Sequence, residues 1–141
     1  MRIFLDANVL FSAAKSDGAV RKLLSLLESL GHTLVADSYV SEEARRNLRA
    51  KYPLVETVLE NLLLNQVTVS AFGARALAVE VDLPEKDRPV LAAAIGLKCE
   101  VLLTEDTTHF GAHFAKVIDG TRVLSPRMLA ESILPSEGDQ I

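Results

Sequence analysis

The sequence is poor in cysteine and in aromatic residues. Among its 141 residues there is one cysteine, Cys99, which excludes an internal disulfide and fits a reducing compartment. Tryptophan is absent and aromatic residues make up 5% of the chain, so the core must be mainly aliphatic. With 49% hydrophobic residues, the chain can build one sizeable core, and its length is typical of a single domain.

The sequence also lacks an excess of basic residues and any long apolar run. Fifteen Lys and Arg against 19 Asp and Glu give a formal net charge of −4, which excludes nucleic-acid binding through overall positive charge. The apolar stretch 90–97 is far shorter than the roughly 20 residues of a membrane helix. The N-terminus becomes acidic at Asp6, too early for a signal peptide. We therefore expect a cytoplasmic protein that does not enter the membrane.

Several common catalytic motifs are missing. The sequence contains neither of the glycine-rich phosphate loops, G-x-x-x-x-G-K and G-x-G-x-x-G, and it has no G-x-S-x-G elbow. His109 and His113 have the spacing of a zinc-binding helix, but Phe110 replaces the required Glu and Gly111 interrupts the helix. The pattern favours ordinary loop histidines, with His109 at most a local contact to phosphate or water.

Short apolar runs alternate with helical patterns along the chain. Strands are predicted at residues 3–5, 33–36, 66–69, 100–104 and 116–118. Helices are predicted from Asp17-Gly18 to Leu30, after possible caps at Asp37 and Ser38 with an apolar face over 40–48, over 55–64 and 74–81, from 87–89 to Gly96 or Lys98, and over 127–134, with a loop or short helix over 107–115. This alternation predicts an α/β fold with a parallel sheet and helices on both faces. We expect residues 1–134 to form one domain and the polar segment 135–141 to be a flexible tail.

Acidic residues recur where the predicted strands end. Asp6 follows the first strand and Asp106 follows the fourth, while Asp87 begins a helix. Glu42 and Glu43 are expected in the first turn of the helix after the second strand. Because ligands of parallel α/β sheets bind at the carboxyl ends of the strands, four segments could bring an acid to one small volume. Singly, each acid also has a structural explanation as a helix cap, a first-turn residue or a loop residue, so the prediction rests on the set.

Converging carboxylates need protons or cations. At about 4 Å and an effective dielectric constant near 20, two ionised carboxylates repel by about 4 kcal/mol. Sites with only oxygen ligands favour Mg²⁺ or Mn²⁺ over Zn²⁺. Such a site suits phosphodiester hydrolysis, in which one or two ions activate water and stabilise the leaving oxygen.

Four segments resemble, in order, the acidic motifs of the PIN-domain nucleases. They are residues 4–10 (FLDANVL), 41–48 (SEEARRNL), 87–94 (DRPVLAAA) and 102–111 (LLTEDTTHFG). In the second motif the family's acid lies five residues before a helical Leu, which favours Glu43 over Glu42. The resemblance covers residues 2–111, most of the chain.

The resemblance implies a three-layer α/β/α fold with a mostly parallel sheet of about four to five strands. It implies an endoribonuclease that leaves a 5′-phosphate and a 3′-hydroxyl. The implied catalytic residues, which are also the ligands of one or two Mg²⁺ or Mn²⁺ ions, are Asp6, Glu43, Asp87 and Asp106. Asn8 and Thr104 are the implied supporting residues. Family members often carry a further acid two or three residues after the fourth, whereas this chain has Thr107, Thr108 and His109 there, so the number of ions stays open.

Many small members of the family are toxins of VapC-type toxin–antitoxin pairs and are commonly dimeric. The resemblance therefore implies an RNA substrate, an antitoxin protein as partner and a homodimer. The leucines of residues 23–30 and the apolar residues of 55–63 exceed the needs of one helix face each. Most are expected in the core, and some in an interface.

Basic residues flank two of the acids. Lys51 lies near the second motif and Lys86 beside the third, and the predicted contacts to the RNA backbone are Arg45, Arg46, Arg49 and Arg88. The alternative is a solvated helix face.

Two other functional classes stay open. In a phosphatase or receiver-like domain, Asp6 would be a covalent nucleophile, although Asn8 stands where the haloacid-dehalogenase pattern has a second Asp. A non-catalytic binding module would use the acidic edge for protein contact.

Overall fold

The computed structural model describes residues 1–71 and 76–134, and in that part of the chain strands and helices alternate. The strands are β1 Arg2–Leu5, β2 Thr33–Asp37, β3 Val67–Ser70, β4 Val101–Leu103, β5 Val117–Ile118 and β6 Thr121–Leu124. The α-helices are α1 Ala7–Lys15, α2 Ala19–Ser29, α3 Ser38–Lys51, α4 Glu56–Asn65, α5 Arg88–Gly96, α6 Thr107–Phe110 and α7 Pro126–Ile133. Two 3₁₀ turns cover Pro53–Val55 and Gly111–His113.

The strands form one sheet in the order β3-β2-β1-β4-β6-β5. All neighbours are parallel except β5 and β6, which are antiparallel. This confirms the predicted α/β fold with a mostly parallel sheet, but the sheet has six strands where four to five were expected. The missed strand is β6, which pairs with β5 across a turn at Asp119 and Gly120, both with positive φ. The Asp-Gly dipeptide is a strong hairpin signal, whereas the apolar runs alone predict only the first strand of this pair.

Strand β1 is the centre of the sheet and positions the site. Its residues Ile3, Phe4 and Leu5 are fully buried, as expected for a strand covered on both faces. The chain passes from β1 to β2 on one side, and β4 later pairs with β1 on the other. The strand order therefore reverses at β1, and the carboxyl ends of β1 and β4 border the crevice where such sheets bind ligands.

Three local predictions differ from the structure. Helix α1 was not predicted, although Ala7, Val9 and Leu10 on it are buried. Of the predicted helix 74–81, residues 76–81 are not helical, and residues 74 and 75 lie outside the described residues. Leu77 and Val81 do pack against the core, so their spacing reflected burial without a helix.

The third difference concerns α3, which begins at Ser38 because Asp37 caps it by accepting a hydrogen bond from the backbone of Val40. Glu42 and Glu43 therefore lie in the second turn of the helix, not in its first turn as expected.

The predicted tail, residues 135–141, lies outside the described residues. No helix in the described part of the chain combines the length and the hydrophobicity needed to cross a membrane.

Candidate metal centre

Four acidic side chains from separate segments line one pocket at the carboxyl edge of the sheet. The pocket has a volume of about 260 Å³. Its lining residues are Asp6, Ala7, Asn8, Phe11, Glu43, Asn47, Lys51, Lys86, Asp87 and Asp106. The structure thus brings together the four acids that the resemblance selects.

Asp6 is the most buried of the four, with 5% of its surface exposed. It caps α1, since its Oδ1 accepts a hydrogen bond from the backbone of Ala7 at 2.7 Å. Its Oδ2 accepts a hydrogen bond from the Thr104 hydroxyl at 2.8 Å. Burial raises the pKa of Asp6 to about 6, against the lowering effect of these two hydrogen bonds, and the charges of Glu43 and Asp87 raise it further. A cation bound nearby would favour the carboxylate form of Asp6.

Asn8 and Thr104 join the ends of β1 and β4. The Asn8 side-chain amide donates to Thr104 Oγ1 at 3.2 Å and lies 3.3 Å from Asp6 Oδ2, and its carbonyl oxygen accepts from the backbone of Glu105. Thr104 is fully buried, and its Oγ1 also accepts from the backbone of Asp106 at 3.2 Å. These bonds fix the position of Asp6 relative to Asp106.

Asp87 occupies the N-cap position of α5, yet its side chain makes no capping hydrogen bond. It is 7% exposed, and its Oδ2 has no hydrogen-bond partner among the described residues. Burial raises the pKa of Asp87, while the positive charge of Lys86 opposes the shift. The capping explanation alone does not account for this buried, unpartnered oxygen.

Asp106 caps α6 and contacts His109 twice. Its Oδ1 accepts from the backbone of His109 at 2.9 Å, and its Oδ2 lies 2.6 Å from His109 Nδ1. The same Nδ1 lies 3.1 Å from Asp87 Oδ2. His113 points elsewhere, with Nε2 at 2.8 Å from the Asp82 carbonyl oxygen, so the two histidines do not form a zinc pair.

Glu43 and Glu42 face different surroundings. Glu43 lines the pocket, and its charge contributes to the raised pKa of Asp6. Glu42 is paired with Arg45 at 2.6 Å and is half exposed. Helical geometry explains the difference, since adjacent residues on a helix point about 100° apart.

The donor set fits a hard divalent cation. Carboxylate oxygens are the ligands that Mg²⁺ and Mn²⁺ prefer, and the unpartnered Oδ2 of Asp87 is a buried acceptor that a cation would satisfy. Burial raises the pKa of Asp6 and of Asp87, and a bound cation would favour their charged forms.

The four arginines predicted to contact RNA do not line the pocket, whereas the four acids do. Arg45 pairs with Glu60 as well as with Glu42, and Arg49 pairs with Glu56 at 2.7 Å. Arg88 donates to the carbonyl oxygen of Val81 at 2.8 Å, and Arg46 is exposed on α3. The cations that line the pocket are Lys51 and Lys86.

The sequence did not predict the pocket residues Phe11 and Asn47, and it favoured His109 as an ordinary loop histidine. Asn47 follows Glu43 by one helical turn, a spacing that places both on one face of α3. Phe11 follows Asn8 by three residues, a spacing that is informative only within a helix. Because α1 was not predicted, this spacing did not indicate Phe11. The contact between His109 and Asp87 joins elements far apart in sequence and had no local signal.

The fold and the pocket define a small α/β domain with a carboxylate cluster at the carboxyl edge of its sheet. A family model of the PIN domain matches residues 2–108, and the chain belongs to the PIN-domain family.

Two solved structures share the fold. VapBC2 from Rickettsia felis, crystallised with a DNA fragment from their promoter, is 15% identical over 89% of this chain and 98% of that chain, with a TM-score of 0.62. VapBC-1 from nontypeable Haemophilus influenzae is 17% identical over 90% of this chain and 99% of that chain, with a TM-score of 0.57. No curated protein matches the chain in sequence.

Proposed function

We propose that the protein is an endoribonuclease that depends on Mg²⁺ or Mn²⁺ and hydrolyses RNA phosphodiester bonds. The observation that carries the proposal is the convergence of Asp6, Glu43, Asp87 and Asp106 on one pocket, with a buried oxygen of Asp87 left unpartnered. Membership of the PIN-domain family supports it, because the motifs that carry the family resemblance contain these four acids.

The four acids would hold one or two ions, and Asn8 and Thr104 fix the orientation of Asp6. When bound, the ions would activate a water and stabilise negative charge on the leaving oxygen. The products are a 5′-phosphate and a 3′-hydroxyl.

Substrate contact comes from cations beside the acids. Lys51 and Lys86 lie in the pocket lining, where they can hold phosphates that neighbour the scissile bond. Arg45 and Arg49 form ion pairs with Glu60 and Glu56 of α4. RNA must displace these glutamates to bind the two arginines. Arg46 is exposed on α3 and available to RNA, whereas RNA must compete with the Val81 carbonyl oxygen for Arg88.

The protein acts in the cytoplasm as the toxin of a toxin–antitoxin pair and forms a homodimer. Support comes from the two VapBC structures that share its fold and from two exposed leucines, one in the 3₁₀ turn before α4 and one near the end of α4. Leu54 is 93% exposed and Leu64 80% exposed, whereas Leu59, Leu62 and Leu63 fill the core as expected. Light scattering of the protein, alone and with its antitoxin, measures both assemblies.

The function is tested by cleavage of mixed RNA in Mg²⁺, Mn²⁺ or EDTA, comparing the wild type with Asp87→Asn. Asn keeps the size of the side chain and removes the anionic ligand, so we expect an intact fold and a loss of cleavage. The matched control is Asp119→Asn in the exposed β5–β6 turn, where Asn also tolerates the positive φ. This variant should cleave at the wild-type rate.

Two results would contradict the proposal. A labelled aspartyl phosphate trapped on Asp6 would indicate a covalent phosphatase mechanism in place of attack by water. Absence of cleavage of any single-stranded RNA in Mn²⁺ would indicate a binding module that retains the fold.

A further inference from the structure

His109 contacts two of the four acids, and the function proposed above gives it no role. Its Nδ1 lies 2.6 Å from Asp106 Oδ2 and 3.1 Å from Asp87 Oδ2. We propose that His109 is itself a ligand of the divalent ion, through Nδ1, together with these two carboxylates. The inference rests on the metal-dependent function proposed above and specifies its donor set and its preferred ion.

The spacing of the three donor atoms suits one ion. All three lie within 4.8 Å of one another. Around a six-coordinate ion with bonds of about 2.1 Å, neighbouring ligand atoms are about 3 Å apart. The distances from Nδ1, 2.6 Å to Asp106 Oδ2 and 3.1 Å to Asp87 Oδ2, lie on either side of that separation.

The state of Asp87 points independently to a cation at this place. Its Oδ2 is buried and has no hydrogen-bond partner among the described residues, although Nδ1 of His109 is near. A proton on Nδ1 would be donated to Asp106 Oδ2, the nearer acceptor at 2.6 Å, and would leave Asp87 Oδ2 without a donor. A divalent ion would satisfy both carboxylates and the nitrogen lone pair, with the imidazole neutral and its proton on Nε2.

Helix α6 holds two of the donors in place. Asp106 caps the helix through the backbone of His109, which fixes the carboxylate and the imidazole on the same turn. A carboxylate and a histidine three residues apart also supply ligands in carboxylate-bridged di-iron and di-manganese proteins. The pair is therefore positioned before an ion arrives.

A nitrogen ligand changes which ion the site prefers. Mg²⁺ favours oxygen ligands, whereas imidazole suits transition metals. We therefore expect the wild type to bind Mn²⁺ more tightly than Mg²⁺, and His109 to be the source of much of this preference. A histidine that only orients Asp106 would support both ions equally.

The test is pulsed electron paramagnetic resonance of the protein loaded with one equivalent of Mn²⁺. The wild type should show the coupling of a directly bound ¹⁴N nucleus, and His109→Asn should lose it while keeping a side chain able to donate to Asp106. His113→Gln is the matched control, because His113 lies in the same segment and contacts the Asp82 carbonyl oxygen instead. It should keep the coupling.

Calorimetry adds a second measurement on the same variants. His109→Asn should raise the Kd for Mn²⁺ by about tenfold or more and the Kd for Mg²⁺ by less than about threefold. An equal loss for both ions would overturn the proposal, because it would make His109 a positioning residue only.

Absence of ¹⁴N coupling in a wild type that binds Mn²⁺ and cleaves RNA would overturn the inference and leave the nuclease function standing. Absence of any Mn²⁺ binding or cleavage would instead overturn the proposed function.

Discussion

Asp6 and Asp37 stand at the carboxyl ends of neighbouring strands and look alike in isolation. Asp6 follows β1 and Asp37 ends β2, both are buried, and each caps the next helix through a backbone hydrogen bond. Burial raises the pKa of both. The difference lies in the second carboxylate oxygen: that of Asp6 is bonded to Thr104, and that of Asp37 has no partner among the described residues.

This comparison shows that burial and capping do not distinguish a site from the scaffold. Asp6 differs because it has acidic neighbours: Glu43 and Asp87 are close enough for their charges to raise its pKa. At Asp37, burial raises the pKa, and backbone hydrogen bonds of its own segment oppose the shift. No neighbouring acid contributes to the shift at Asp37, so its unpartnered oxygen, unlike that of Asp87 beside Asp106, does not indicate a cation site.

The largest expected effect comes from exchanging the two acids for their amides. Asp6→Asn should lower RNA cleavage by about 1000-fold or more, because an ion held by one fewer carboxylate loses several kcal/mol of transition-state stabilisation. Asp37→Asn keeps a side chain that can cap α3 and should cleave within about twofold of the wild type. Initial cleavage rates in Mn²⁺, with circular dichroism to verify folding, measure both. Equal losses of activity would show that Asp37 matters as much for cleavage as Asp6 does.

An intermediate effect is expected from removing the Thr104 hydroxyl, which donates a hydrogen bond to the second carboxylate oxygen of Asp6. Thr104→Val keeps the shape of a fully buried side chain but removes its bonds to Asp6, Asn8 and Asp106. We expect a loss of about 1–3 kcal/mol in the free energy of unfolding and about a 10- to 100-fold loss in Mn²⁺ affinity. Urea unfolding and calorimetry measure the two quantities.

The matched control is Thr121→Val. Thr121 is equally buried, and its hydroxyl donates to the Cys99 carbonyl oxygen at 2.7 Å, outside the residues that line the pocket. Stability should fall in both variants, and Mn²⁺ affinity only in Thr104→Val. A matching loss of affinity in Thr121→Val would show that general destabilisation, not the orientation of Asp6, weakens the site.

The comparison also explains which features were predictable from the sequence. Strand ends, helix starts and the acids placed on them depend on nearby residues, so the parallel α/β fold and the candidate acids could be predicted. The bond from Thr104 to Asp6 joins residues 98 positions apart, and only the resemblance singled out Thr104. The contact of His109 with Asp87 depends on how α5 and α6 pack, which no local pattern encodes.

The smallest expected effect is on stability and tests the scaffold role of Asp37 directly. Because its pKa is raised in the folded state, the native protein binds more protons than the unfolded chain between the ordinary pKa of 3.8 and the raised value. The stability of the wild type therefore falls as pH rises through that interval, and the penalty is fully present above it. Asp37→Asn carries no such charge and should unfold a few degrees higher at neutral pH, with the gain disappearing below pH 3.8. Thermal unfolding of both proteins across this range measures the effect, and a gain that persists unchanged in acid would mean that the buried charge is not its cause.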